Sequence, residues 1–106
     1  MDFPTFYDPG RVGELYTPDV NAATNAGLSA GLTPASDDET RTLLLLVDVQ
    51  VDFVHPEGSL SVPGAVDDLQ RTIEWMYRNV GQITDITASL DSHIPYQIFY
   101  PTWWQN

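Results

Sequence analysis

Leu43-Leu44-Leu45-Leu46-Val47-Asp48-Val49-Gln50-Val51-Asp52-Phe53 is the stretch that decides how the chain reads. Five apolar residues in succession fit a strand buried on both faces, as in a parallel sheet. The strand is expected from Leu43 to about Val49. An acid at the end of such a strand is costly to bury unless it is hydrogen-bonded or chemically employed. In open α/β sheets that end is also where ligands bind.

The next elements repeat the arrangement. Pro56-Glu57-Gly58-Ser59 reads as a turn, Ser59-Leu60-Ser61-Val62 alternates, and Pro63-Gly64 closes a second turn. Val66, Leu69, Ile73, Met76, Tyr77 and Val80 recur at spacings of three and four, so a helix is expected from about Ala65 to Asn79 with one apolar stripe. Asp67 and Asp68 near its start and Arg78 near its end suit the helix dipole. Trp75, Met76 and Tyr77 read as ordinary packing residues. Ile83 to Leu90 is the second expected strand, ending at Asp91. Strand, helix, strand with a connection of this length predicts a parallel βαβ unit. Two parallel strands and one helix cannot cover both faces of the leucine strand. The chain is therefore expected to be the front part of a larger domain, or to be completed by a second chain.

Residues 1–40 carry Pro4, Pro9, Pro18 and Pro34 among small and polar residues, with no sustained helical or strand period. They are expected to form an irregular N-terminal extension, loosely ordered or draped, with Phe3, Phe6, Tyr7, Leu15 and Tyr16 as anchors. Residues 41–106 form the second unit, a truncated domain.

Bulk properties narrow the classes. A net charge of −11 argues against nucleic acid and anionic membrane surfaces. The apolar runs fall far short of the roughly twenty residues a membrane span needs, and Met1-Asp2-Phe3-Pro4 has no secretory pattern. The expected compartment is cytoplasmic. There is no cysteine, and the only cationic side chains besides histidine are four arginines. Thiol nucleophiles, thiolate ligands and a lysine are all missing.

Three positions carry candidate chemistry. Asp48, at the strand end, fits a general base, and equally a carboxylate that caps the N–H groups of the next turn. Asp91-Ser92-His93 puts two good ligands for Zn²⁺, Mn²⁺ or Fe²⁺ on one turn; an ordinary solvated acid–histidine pair has the same spacing. Phe53 fits the wall of a pocket for a flat ring, or a core aromatic. Gln50 and Asp52 are read as turn-capping, and His55 as an exposed loop histidine without a partner.

Together, Asp48-Val49-Gln50-Val51-Asp52-Phe53, Gly58-Ser59-Leu60-Ser61-Val62-Pro63-Gly64-Ala65 and Leu90-Asp91-Ser92-His93 resemble the front third to half of the isochorismatase-like cysteine hydrolases, over about residues 42–104. The Asp-x-His narrows the resemblance toward the nicotinamidase branch. It implies an α/β fold, a Rossmann-like α/β/α sandwich around a parallel sheet, present here as its incomplete N-terminal part. It implies amide hydrolysis, nicotinamide plus water to nicotinate plus ammonia, through a Cys acyl-enzyme in NAD salvage. Asp48 would take the thiol proton. Asp91 and His93 would be the first ligands of a divalent metal, expected to be Zn²⁺, that binds the pyridine nitrogen and polarises the ring. A lysine would support the Asp.

The family pattern has a further His where this chain has Tyr96-Gln97-Ile98-Phe99, and glutamine is a poor Zn²⁺ ligand. Its Cys and Lys follow the Asp-x-His, so their absence fits a segment inactive alone. Two alternatives stand beside this reading: another isochorismatase-type hydrolase without the metal, acting on a vinyl ether or another amide, and a non-catalytic split module with its aromatic tail as interface. The expected partner is a small nicotinamide-like amide, with homo-oligomerisation of the full-length protein left open.

Overall fold

The leucine run does form a strand. In the structure, a computed structural model describing residues 3–92, 98 and 101–104, β1 spans Leu43–Val47. It pairs in parallel with β2, Asp85–Ser89, in the register Leu43↔Asp85 to Val47↔Ser89. Both strands are shorter than expected: β1 stops where the chain turns at Asp48, and β2 neither includes Ile83 and Thr84 nor reaches Leu90.

Between them lie a four-residue helix α2, Val51–Val54, and the long helix α3, Ala65–Asn79. The bounds of α3 are those read from its apolar period. It begins after Gly64 with no side-chain cap, and Asp67 and Asp68 offset its first-turn dipole. Helix α2 lies against α3.

The two faces of β1 are unequal. Leu44 and Leu46 are half-buried, whereas Leu43, Leu45 and Val47 are 60%, 54% and 63% exposed. The expectation of burial on both faces is not met among the described residues, and none of them is fully buried. The radius of gyration is 17.0 Å, against about 13 Å for a compact domain of this length. The described elements are an α/β layer with one side of its sheet open. No described helix is long and apolar enough to cross a membrane.

The N-terminal stretch departs from the expected irregular extension. Val20–Ser29 is a helix, α1. It owes nothing to an apolar stripe: Leu28 is 80% exposed. Instead the Asp19 carboxylate accepts the Ala22 N–H at 2.9 Å, and the alanines that follow are good helix formers. A cap and local propensity thus form a helix where periodicity gave no signal.

Two of the expected anchors, Phe3 and Tyr7, dock on α3, whereas Phe6, Leu15 and Tyr16 stay 52%, 65% and 62% exposed. Phe3, Tyr7 and Tyr77 of α3 form a ring cluster with centroids 5.2 to 6.0 Å apart, and the Arg78 guanidinium lies over Phe3. The Tyr7 hydroxyl donates to the Glu74 carboxylate at 3.1 Å. The arm runs so close to α3 that a Cβ on Gly13 would lie 2.9 Å from a Val66 methyl.

This docking has a pH signature. The Tyr7 phenol is held above its ordinary value of 10.0, first by desolvation and then by the hydrogen bond to Glu74 and that carboxylate's charge. Tyr77 is raised by desolvation and then by Tyr16. A pKa higher in the folded state means the contribution is complete below the unfolded value, near pH 10, and is lost as pH rises through the raised values. The Tyr7 contribution to this docking should therefore fade above about pH 10, leaving a Tyr7 phenolate opposite Glu74 and loosening the arm. Limited proteolysis between residues 3 and 19 against pH should show that onset, and Tyr7→Phe should weaken it.

Candidate functional site at the strand ends

Asp48 leaves β1 in a left-handed conformation, φ +57°, the only non-glycine with positive φ among the described residues. Aspartate tolerates this region better than branched or bulky residues. The turn continues the sheet by one step: the Asp48 N–H reaches the Ser89 carbonyl at 3.1 Å and the Ser89 Oγ at 3.2 Å. The Ser89 hydroxyl in turn donates to Asp48 Oδ1 at 3.2 Å. The half-buried carboxylate is thus oriented by the neighbouring strand. Among the described residues, Oδ2 has no hydrogen-bond partner. Of the two roles read from the sequence, the capping one takes a different form: the carboxylate is held by a side chain across the sheet and not by the N–H groups of its own turn.

Gln50 is not a local turn cap. It reaches 41 residues along the chain to the other strand end. Its Oε1 accepts the Asp91 N–H at 2.7 Å, and its Nε2 donates to the Asp91 carbonyl at 3.0 Å. The same Nε2 donates to Asp52 Oδ2 at 3.0 Å. Asp52 Oδ1 accepts from the Ser59 hydroxyl at 3.0 Å, so this acid does tie its turn together. A polar residue two places beyond the strand-end acid was the only sequence signal for Gln50. Ser89 gave none.

Asp91 is exposed at the tip of β2. His93 lies outside the described residues, as do Gln97 and most of the aromatic tail. Among the described residues no three His, Asp or Glu side chains gather as a metal group; what they offer a divalent ion at this tip is the Asp91 carboxylate. Phe53, on α2, is half-buried, and its carbonyl accepts the Val62 N–H at 2.9 Å.

His55 differs from its reading as an exposed, partnerless residue. It is half-buried, and its Nδ1 accepts the Glu57 N–H at 3.1 Å. It lies on the wall of a cavity of about 790 Å³ between the arm and α2–α3, within the range of small-molecule sites. Val49, Val51, Val54, Leu69 and Ile73 form much of that wall, and Gln50 joins it to the strand ends. Asp48 is not part of the wall. Asp8, Arg11, Glu14 and Asp19 on the arm side are engaged locally, by turn caps and by the Arg11–Glu14 pair at 3.1 Å.

The strand ends therefore bring Asp48 and the Asp91 peptide to one edge of the sheet, each tied to the opposite strand. No family model, curated protein or solved structure matches this chain, so the functional reading rests on these residues.

Proposed function

We propose that these residues supply the proton acceptor of a nicotinamidase-like amidohydrolase of the isochorismatase type. The observation that carries the reading is Asp48: a carboxylate in a left-handed turn at the end of a parallel strand, one oxygen held by Ser89 and the other without a hydrogen-bond partner among the described residues. Backbone strain of this kind concentrates at functional sites.

In the proposed reaction a cysteine from outside these 106 residues gives its thiol proton to Asp48, and the thiolate attacks the carboxamide carbon. As the C–N bond breaks, the proton passes from Asp48 to the departing nitrogen, releasing ammonia. Water activated by the same carboxylate then cleaves the thioester to nicotinate. Ser89 orients the base throughout. Asp91, with His93, would contribute to the Zn²⁺ site that the resemblance implies, whose chemistry is to polarise the pyridine ring.

The open Leu43, Leu45 and Val47 face supports the same view, since a central parallel strand needs both faces covered. It also supports the second reading, a non-catalytic module that binds another chain there. The test is ammonia release from nicotinamide. The whole translated product of this reading frame should release it, and residues 1–106 alone should not. Hydrolysis by 1–106 alone would overturn the mechanism. An inactive whole product in a tight complex with a non-enzymatic partner would favour the module.

A further inference from the structure

We propose that Gln50 is a positioning residue whose side-chain amide pins the Asp91 peptide at a set distance from the Asp48 turn; this rests on the function proposed above. The parallel ladder ends at Val47↔Ser89. Beyond it, the Asp48 N–H makes one more bond to Ser89, and the two chains then diverge. The Gln50 amide bridges the gap, because a primary amide offers the same donor and acceptor as a peptide group. Its carbonyl takes the Asp91 N–H at 2.7 Å and its NH₂ reaches the Asp91 carbonyl at 3.0 Å. A side chain thereby substitutes for a missing rung of the ladder.

The second Nε2 hydrogen bond, to Asp52 Oδ2, sets the amide's orientation. A flipped amide would put its oxygen against that carboxylate and the Asp91 carbonyl and its NH₂ against the Asp91 N–H, three repulsive contacts in place of three bonds. Asp52 is itself held by Ser59. Ser59, Asp52, Gln50 and the Asp91 peptide form one connected relay from the turn before α3 to the tip of β2. Beyond the last rung of the ladder, the position of the Asp91 peptide relative to the base is set by this relay.

The test is amide hydrogen exchange at Asp91 together with turnover, both on the whole translated product. Gln50→Ala should raise Asp91 exchange at least ~10-fold, with the amides of Leu44–Val47 and α3 unchanged; losing a hydrogen bond worth about 1.4 kcal/mol corresponds to tenfold. A residue that merely stabilises the fold would raise exchange throughout. Gln50→Glu keeps an acceptor for the Asp91 N–H but loses both donated bonds and sets its carboxylate against that of Asp52, so Asp91 exchange should rise above the parent's. Both variants should lower kcat on nicotinamide, Gln50→Ala by ~10- to 100-fold, as displacement of a catalytic constellation by about 1 Å does.

Unchanged Asp91 exchange in Gln50→Ala overturns the clamp, whatever the activity. Raised exchange with unchanged kcat overturns the positioning role. An inactive parent protein removes that role together with the proposed function, and the exchange result alone then judges the clamp. If Gln50→Ala does not fold, Gln50→Glu decides: parental kcat in that variant refutes positioning.

Discussion

Asp48→Asn should lower kcat for nicotinamide hydrolysis by about 10²- to 10⁴-fold, the range for removing a general base, while the whole translated product keeps its melting temperature. The substitution separates chemistry from conformation. Asparagine occupies the left-handed region as readily as aspartate, and its amide oxygen still accepts from the Ser89 hydroxyl that now bonds Oδ1. What disappears is the ability to take a proton. Asp48→Ala should lose activity to the same extent and also lose stability, about 1–2 kcal/mol, because alanine keeps the Cβ–carbonyl crowding of φ +57° and loses the side-chain hydrogen bond to Ser89 that offsets it. Asp48→Gly should be as inactive but more stable than Asp48→Ala. Activity of Asp48→Asn within about threefold of the parent would place the base elsewhere.

Gly58→Ala should be the most destabilising single-methyl change in the chain, at about 3 kcal/mol. Gly58 closes the turn after α2 against the helix backbone. A Cβ there would lie 2.4 Å from the Asp52 carbonyl oxygen, 2.5 Å from that of Val51 and 2.8 Å from the Asp52 carbonyl carbon. None of these atoms is the end of a flexible side chain, so the turn itself must move. That movement breaks the bonds from the Leu60 N–H to Asp52 at 3.0 Å and from the Val62 N–H to Phe53 at 2.9 Å. It also disturbs Asp52, and through it the Gln50 relay. Thermal unfolding should show a fall of about 10 °C or more for a chain of this size. The control is Gly27→Ala on exposed α1, where nothing lies within 4 Å of the added Cβ and a small stabilisation is expected. Equal melting temperatures for the two variants would mean the turn does not pack on α2 as described.

The two changes also show why the Asp48-to-Ala65 stretch carries the strongest pattern in the chain. The Gly-Ser pair is needed twice over in one turn: Gly58 for its missing Cβ and Ser59 for its bond to Asp52. Asp48 and Gln50, two residues apart, meet Ser89 at the end of β2 and Asp91 just beyond it, also two apart.

Much of this was legible along the chain because it is local. The leucine run marks β1, and the three-and-four spacing of Val66, Leu69, Ile73 and Met76 marks α3 to its last residue. The strand–helix–strand order predicts the parallel pairing that β1 and β2 make. The acid at the strand end could be located, since apolar-to-polar transitions need no partner to be recognised. Other features depend on residues far apart in sequence and were silent. Helix α1 is the local exception: it escaped because it rests on the Asp19 cap and has no buried face to impose a period. The packing of the arm on α3 through Tyr7 and Glu74 joins residues 67 apart. His55, read as an exposed loop histidine, gained its place on a cavity wall from the same packing. The choice of Ser89 as the partner of Asp48 follows from register, and the reach of Gln50 to Asp91 from the turn beyond the ladder; neither leaves a mark on either segment's own pattern. Composition and periodicity state which faces seek burial and where a strand must stop; which polar atoms meet at that stop is settled when two distant segments align, because hydrogen bonds are directional and short, and a shift of one residue would turn every one of these side chains to the opposite face.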